Sequence, residues 1–164
     1  MHLSSRCVQT HIASPLGPIT LAACDGRLVG VWFNSQAHQP DLSHCAQAST
    51  LPVFSDVSSQ LAQYFAGQRT RFDLPISWYG GTPFQQRVWQ ALLNIPAGST
   101  CSYLNVATSI GRPQAVRAVG AAIGRNPLSI VVPCHRVVGS NGKLTGYAGG
   151  LPRKTALLQL EGAL

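Results

Sequence analysis

Apolar residues follow two different rhythms along the chain. In the first part they fall in short β-rich runs: two inside VQTHIASPLGPITLAAC and a third in RLVGVWF. Ser14-Pro15-Leu16-Gly17 and Asp25-Gly26 separate these runs, and both have turn-forming composition. The pattern predicts three strands. Residues 34–52 are polar and mixed, and read as a loop or weak helix. From Asp56 the period lengthens, with Val57, Leu61, Tyr64 and Phe65 at helical spacing and Gly67 as the stop. ISWYGGTP, residues 76–83, holds a glycine pair and reads as a linker.

The second part is helical by pattern. Thr82 is placed to cap a helix with Pro83 at its first position, and Phe84, Val88, Trp89, Leu92 and Leu93 share one face of FQQRVWQALLNI. Pro96-Ala97-Gly98 stops it. Ser102 can cap a short helix in YLNVATSI, which Gly111 breaks, and Arg112-Pro113 opens another in QAVRAVGAAIGRN. Helix, short turn and helix give the outline of a helix-turn-helix. The second of these helices is built almost wholly from small residues, among them Ala115, Ala118, Gly120, Ala121 and Gly124, with Arg117 as its long cation. Small side chains let a helix backbone approach another surface closely. RKTALLQLEG predicts a terminal helix.

Charge sharpens this division. The formal charge is +7, yet the four arginines of residues 1–82 are balanced by four aspartates. Residues 83–164 hold eight basic residues against Glu161 alone, so the whole surplus lies there. A one-sided basic field is the electrostatic footprint of a nucleic-acid partner. With 45% hydrophobic and only 10% charged residues, the composition excludes a disordered chain. The N-terminal residues contain no apolar stretch of the signal-peptide kind, and no run approaches a membrane span, so a soluble, cytoplasmic protein is expected. Cys7, Cys24, Cys45, Cys101 and Cys134 are scattered, odd in number and without CxxC spacing. They predict neither a disulfide framework nor a zinc site, and favour a reducing compartment.

The chemistry concentrates at SIVVPCHRV. Ser129 to Val132 reads as a short buried strand, and Pro133 ends its ladder and turns the chain. Cys134 and His135 follow at that corner. A free thiol has a pKa of ~8.5 and is mostly protonated at neutral pH, so a nucleophilic Cys134 needs a base or neighbouring cations. His135 is the nearest base, though neighbours on an extended chain point apart, so a bridging water would serve. Glu161, the lone acid of this half, is the candidate to orient it. Asn126, before Pro127, can hold a bend by side-chain hydrogen bonds, and Tyr103 offers a phenolic donor. GSNGKLTGYAGG lacks the GxxxxGK[ST] phosphate-loop pattern and fits a binding loop with close backbone approach.

VPCHRVVGSNGKLTGYAGG, with NPLSIVVPCHR before it and RAVGAAIGRNP upstream, resembles the O6-alkylguanine-DNA alkyltransferases. The likeness runs from TPFQQRVWQALLNIPAGST to LLQLEG and continues more weakly into SPLGPITLAAC and LAQYFAG. It implies an α/β N-terminal domain (residues 1–78), ribonuclease H-like, with an antiparallel sheet plus helix. A mainly helical C-terminal domain (79–164) with a helix-turn-helix in the minor groove follows. It also implies a single-turnover reaction on double-stranded DNA, moving an alkyl group from O6 of guanine to Cys134. O4-alkylthymine is a further candidate lesion. By position, His135 deprotonates Cys134 through water, Glu161 orients His135, Tyr103 protonates the leaving guanine and Asn126 braces the turn. Arg117 enters the duplex in place of the flipped base, with Ser102, Ala115, Ala118, Ala121 and Arg125 as further DNA contacts. The backbone around Val137 and the loop at Tyr147 and Ala148 hold the guanine. Ala148 stands where the family has a serine, which bears on tolerance of bulky alkyl groups. No cofactor is implied, and a monomer that can bind cooperatively is expected.

Some members bind zinc in the N-terminal domain. Cys7, Cys24 and His11 are the candidates here, but no fourth ligand can be assembled, so no metal is expected. Three rival readings use the same thiol. A Cys-His hydrolase has no use for a basic helix-turn-helix. Damage binders without alkyl transfer lack the acceptor cysteine, and a redox sensor would need a resolving cysteine that the sequence does not offer.

Overall fold

The computed structural model describes residues 3–164. The three predicted runs form β1 (Cys7–Ile12), β2 (Ile19–Cys24) and β3 (Arg27–Phe33), an antiparallel meander whose turns fall at residues 13–18 and 25–26. Asp25 and Gly26 both take positive φ, which the tight second turn requires. Inside residues 34–52 a short strand, β4 (Ala46–Gln47), pairs parallel to β1. The sheet is therefore mixed, in the order β3-β2-β1-β4, and not purely antiparallel as expected.

Both faces of the sheet are covered. β2 is buried at every position, and β3 from Leu28 onward. One face joins a core that runs from Ile19, Leu21 and Phe33 through helix α1 (Pro52–Phe65) to Val88, Trp89, Ile123 and Leu157 in the second half. α1 begins at Pro52 rather than at Asp56, because Pro52 fits the first turn and Val53 and Phe54 extend the buried face. The other face forms a smaller cluster of Leu3, Cys7, Cys24, Val29, Trp32 and Cys45. There Cys7 and Cys24 meet in register across β1 and β2 and are joined as a disulfide. This corrects the expectation of unpaired cysteines: sequence spacing does not register a cross-strand pair.

The free edge of β3 positions the site. Pro75 and the start of the stretch read as linker dock on it through Leu28 N–H to Pro75 O (2.8 Å) and Ser77 N–H to Leu28 O (2.9 Å). Further along, Val31 N–H donates to Pro127 O (2.8 Å) and Ser129 N–H to Val31 O (3.0 Å). The segment leading to Cys134 is thus bonded to the N-terminal sheet, and the exposed edge is covered.

The second half is helical. α2 (Pro83–Leu92) starts with a capping box between Thr82 and Gln85, and α3 (Tyr103–Ser109) with one between Ser102 and Asn105. α4 (Val116–Gly124) opens later than Pro113, after a turn closed by Ala115 N–H to Arg112 O. Trp89 Nε1 donates to Ala122 O at 2.8 Å and fastens α2 to α4. Two short parallel strands, β5 (Cys101–Ser102) and β6 (Val137–Val138), flank the site, and α5 (Leu151–Leu160) closes the chain. Among the described residues no helix is long and apolar enough to cross a membrane.

Candidate active site

Ser129 to Val132 is not a strand. Its β-branched residues lie in a tight turn in which Val132 N–H donates to Leu128 O and Ile130 is held at a φ of 70°. Asn126, 3% exposed, explains the override of β-propensity. Its Oδ1 accepts from Leu128 N–H at 2.9 Å and its Nδ2 donates to Val132 O at 2.8 Å, so one side chain closes the loop from both ends. A 3₁₀ turn of Cys134, His135 and Arg136 follows, and all three are buried.

Glu161, at the C-terminus of α5, is the hub behind this turn. Its side chain is 2% exposed. Oε1 receives His135 Nε2 at 2.7 Å, Arg136 Nη2 at 2.8 Å and the Tyr64 hydroxyl at 2.7 Å, while Oε2 receives Arg136 Nε at 2.9 Å. Burial works against its charge, but the hydrogen bonds from His135, Arg136 and Tyr64 outweigh it and hold the pKa at about 2. An ionised carboxylate accepts only, so His135 carries its proton on Nε2. Burial lowers the pKa of His135 despite the hydrogen bond to Glu161, so the imidazole is neutral. Its Nδ1 is then a buried lone pair, and no hydrogen-bond partner among the described residues reaches it.

Cys134 lies at a cavity of about 250 Å³. Burial raises its pKa, opposed by hydrogen bonding from Asn126 and by the charge of Lys154. At neutral pH it is a thiol and needs a base to react. Gly120, Ile123 and Gly124 of α4 form one wall of the cavity, and Tyr103 and the Gly146–Ala148 loop continue it. Tyr103 donates its hydroxyl to Thr145 O at 3.0 Å. The Tyr147 hydroxyl is buried, and burial, then the neighbouring thiol, raises its pKa against the opposing charge of Arg153 and hydrogen bonding with Ser129. Val137 is adjacent but does not line the cavity, and its carbonyl accepts from Lys154 Nζ at 2.6 Å.

The residues assigned to DNA lie apart from this web. Arg117, Ala118 and Ala121 are exposed on α4 and Arg125 just past its end, opposite buried Val119, Ala122 and Ile123, with Ala115 half-buried before them. Ser102 Oγ is engaged with Asn105 in its cap. Of the zinc candidates, Cys7 and Cys24 are bonded to each other and His11 Nδ1 meets Thr20 Oγ1 at 3.1 Å. Among the described residues no three His, Cys, Asp or Glu side chains gather as a metal site.

Sequence reasoning missed Tyr64, Arg136 and Lys154. Lys154 is 1% exposed, with its ammonium on the carbonyls of Val137, Thr145 and Gly146. Its signal was present, since helical spacing puts it on the side of α5 that carries Leu157, Leu158 and Glu161. Tyr64 gave no such signal: it satisfied the apolar face of α1, and its hydroxyl reaches Glu161 across 97 positions of sequence.

Two family models cover the chain. The ribonuclease-like domain of 6-O-methylguanine DNA methyltransferase matches residues 7–78, and the DNA-binding domain of the same family matches 83–163. A methylated-DNA–protein-cysteine methyltransferase of Mycobacterium tuberculosis is 51% identical over 150 residues, 92% of this chain and 89% of that protein. The Salmonella typhimurium protein of the same name is 45% identical over 170 residues, 97% of this chain and 98% of its own length. A solved Mycobacterium tuberculosis structure in complex with DNA superposes with a TM-score of 0.86 at 49% identity, covering 93% of this chain and 91% of that one.

Proposed function

The chain belongs to the family of methylated-DNA–protein-cysteine methyltransferases, and we propose that its repair reaction runs through Cys134. Like its relatives it repairs DNA by moving the alkyl group from O6 of guanine directly onto a cysteine of its own. The observation that carries the assignment is a buried thiol facing a cavity, next to a neutral histidine whose far nitrogen is held by an ionised carboxylate.

His135 Nδ1 takes the Cys134 proton through a bridging water, and Glu161 steadies the imidazolium that forms. The sulfur attacks the alkyl carbon, a C–S bond forms, and the C–O6 bond breaks with its electron pair passing to the guanine. Tyr103 supplies the proton that neutralises the leaving base. Asn126 keeps the turn in shape and lowers the cost of the thiolate, as does the charge of Lys154. No step restores the thiol, so each molecule acts once and needs no cofactor.

A base inside a duplex cannot reach this cavity, so the nucleotide is flipped out, at a cost of a few kcal/mol that is least for a damaged pair. The cavity is below the ~300–1,000 Å³ of drug-sized pockets and suits one ring system. α3 and α4 serve as a helix-turn-helix, and the small exposed face of Ala118 and Ala121 admits the minor groove. Arg117 fills the gap left by the base, with Ser102, Ala115 and Arg125 at the backbone. Tyr147 and Ala148 border the base.

Intact-protein mass after incubation with a duplex containing O6-methylguanine, followed by peptide mapping, tests the assignment. One methylene mass on Cys134, saturating at one per protein and absent in Cys134→Ala, is expected. Lesion binding with no mass gain would leave a damage-recognition protein.

A further inference from the structure

The cavity beside Cys134 has a second wall, and it comes from the N-terminal domain. Ala37 and His38, in the segment after β3, line the same space as Cys134, Gly120 and Tyr103. This segment is not a free loop. Gln36 is 7% exposed, and its Oε1 accepts from Phe33 N–H and from Ser129 Oγ, both at 3.0 Å. Ser129 belongs to the turn that leads to Cys134, so this bond joins the two domains. One residue on, Ala37 N–H donates to Ala148 O at 3.0 Å and ties the segment to the opposite rim. Ser35 and His38 each hold a φ of 63°, uncommon for residues other than glycine, and such conformations persist only where the surroundings fix them.

We propose that Ala37 and His38 form the size-determining wall of the alkyl end of this cavity, so that the N-terminal sheet domain sets which alkyl groups Cys134 accepts. The proposal rests on Cys134 being the acceptor. An O6-alkyl group longer than methyl extends past the carbon that sulfur attacks, and those extra carbons need room away from the guanine ring. Gly120 and Gly124 offer the ring a wall without side chains, next to Tyr103. That wall is on α4, the helix facing DNA, so the base enters there. The space left for the alkyl chain is the side bounded by Ala37. A methyl side chain at that position leaves the wall low, and groups larger than methyl fit.

The test compares single-turnover alkylation of the full chain by duplexes carrying O6-methylguanine or O6-butylguanine. The mass gain on Cys134 is followed in time for the wild type, Ala37→Val, Ala37→Phe and His38→Ala. Ala37 is exposed, so enlarging it intrudes on no core, and a melting curve confirms each fold. The butyl-to-methyl rate ratio is expected to fall stepwise through Val to Phe, by roughly tenfold or more at Phe, the scale on which pockets discriminate alkyl size. In His38→Ala the ratio is expected to rise. A ratio constant across the series overturns the proposal, as does a wild type unable to take the butyl group. An equal fall of both rates also overturns it, because it puts the guanine itself against Ala37. A wild type that gains no alkyl mass on Cys134 from either duplex rejects instead the acceptor assignment beneath the proposal.

Discussion

Arg136 and Cys134 belong to one 3₁₀ turn, two residues apart, and meet opposite surroundings. Every nitrogen of the Arg136 guanidinium makes a hydrogen bond: Nε and Nη2 to Glu161, and Nη1 to Ile95 O at 2.6 Å. Around Cys134 the reverse holds, since His135 Nδ1 is buried with no hydrogen-bond partner among the described residues. A buried unsatisfied polar atom costs about 1–3 kcal/mol, so this lone pair next to a thiol marks a place where a proton is to be accepted. The engaged side fixes the position of the turn, and the open side is left for the reactant. Rigid support next to an unsatisfied pocket is the arrangement that pre-organises a site.

Glu161→Gln breaks this contrast most severely. It removes the carboxylate that holds Arg136, His135 and Tyr64, and leaves a guanidinium buried without a counter-charge. Breaking a buried pair from one side costs about 3–5 kcal/mol. Denaturant unfolding is expected to show a loss of that order, and alkyl transfer is expected to slow even at temperatures where the protein stays folded. Unfolding free energy close to wild type would mean that the web does not support the turn.

Tyr64→Phe separates the support from the chemistry. It deletes one hydrogen bond to a charged acceptor and little volume, so a loss of about 1.5–3 kcal/mol is expected on unfolding. The transfer rate of the folded protein is expected to change less, because His135 and Arg136 still hold Glu161. A rate that collapses while stability is kept would place Tyr64 in the reaction itself.

How much of this contrast was legible in the sequence differs between its two sides. Thr82 and Ser102 announced their helices because capping is local, and the three strands of the meander showed in runs bounded by turns. PCHRV announced the reactive side. The supporting side is assembled from long-range bonds that no window of sequence contains: Tyr64 to Glu161, Arg136 to Ile95, Gln36 to Ser129. Ile130-Val131-Val132 misled for the same reason, because the bonds from Asn126 outweigh the β-propensity of three branched residues. β4 and the Cys7–Cys24 bond were invisible likewise, being consequences of strand register.

The gentlest perturbation is pH, which titrates one side of the contrast before the other. Burial holds the pKa of His135 below its usual 6.5, so the folded protein keeps a neutral base where a solvent-exposed histidine would already be charged. The alkylation rate of the folded protein is therefore expected to stay flat as pH falls through 6.5 and to decline only below it. Stability behaves differently. Below 6.5 the unfolded chain binds a proton at His135 that the folded chain refuses, so unfolding gains and stability falls with acidification. Glu161 adds a loss of the same sign in a later window, as pH drops from 4.5 towards about 2. Single-turnover rates and unfolding curves over one pH series read both effects. A rate that follows a group titrating at 6.5 or above would show His135 open to water, and stability that rises on acidification would show a charged His135 paired with Glu161 in place of a neutral base.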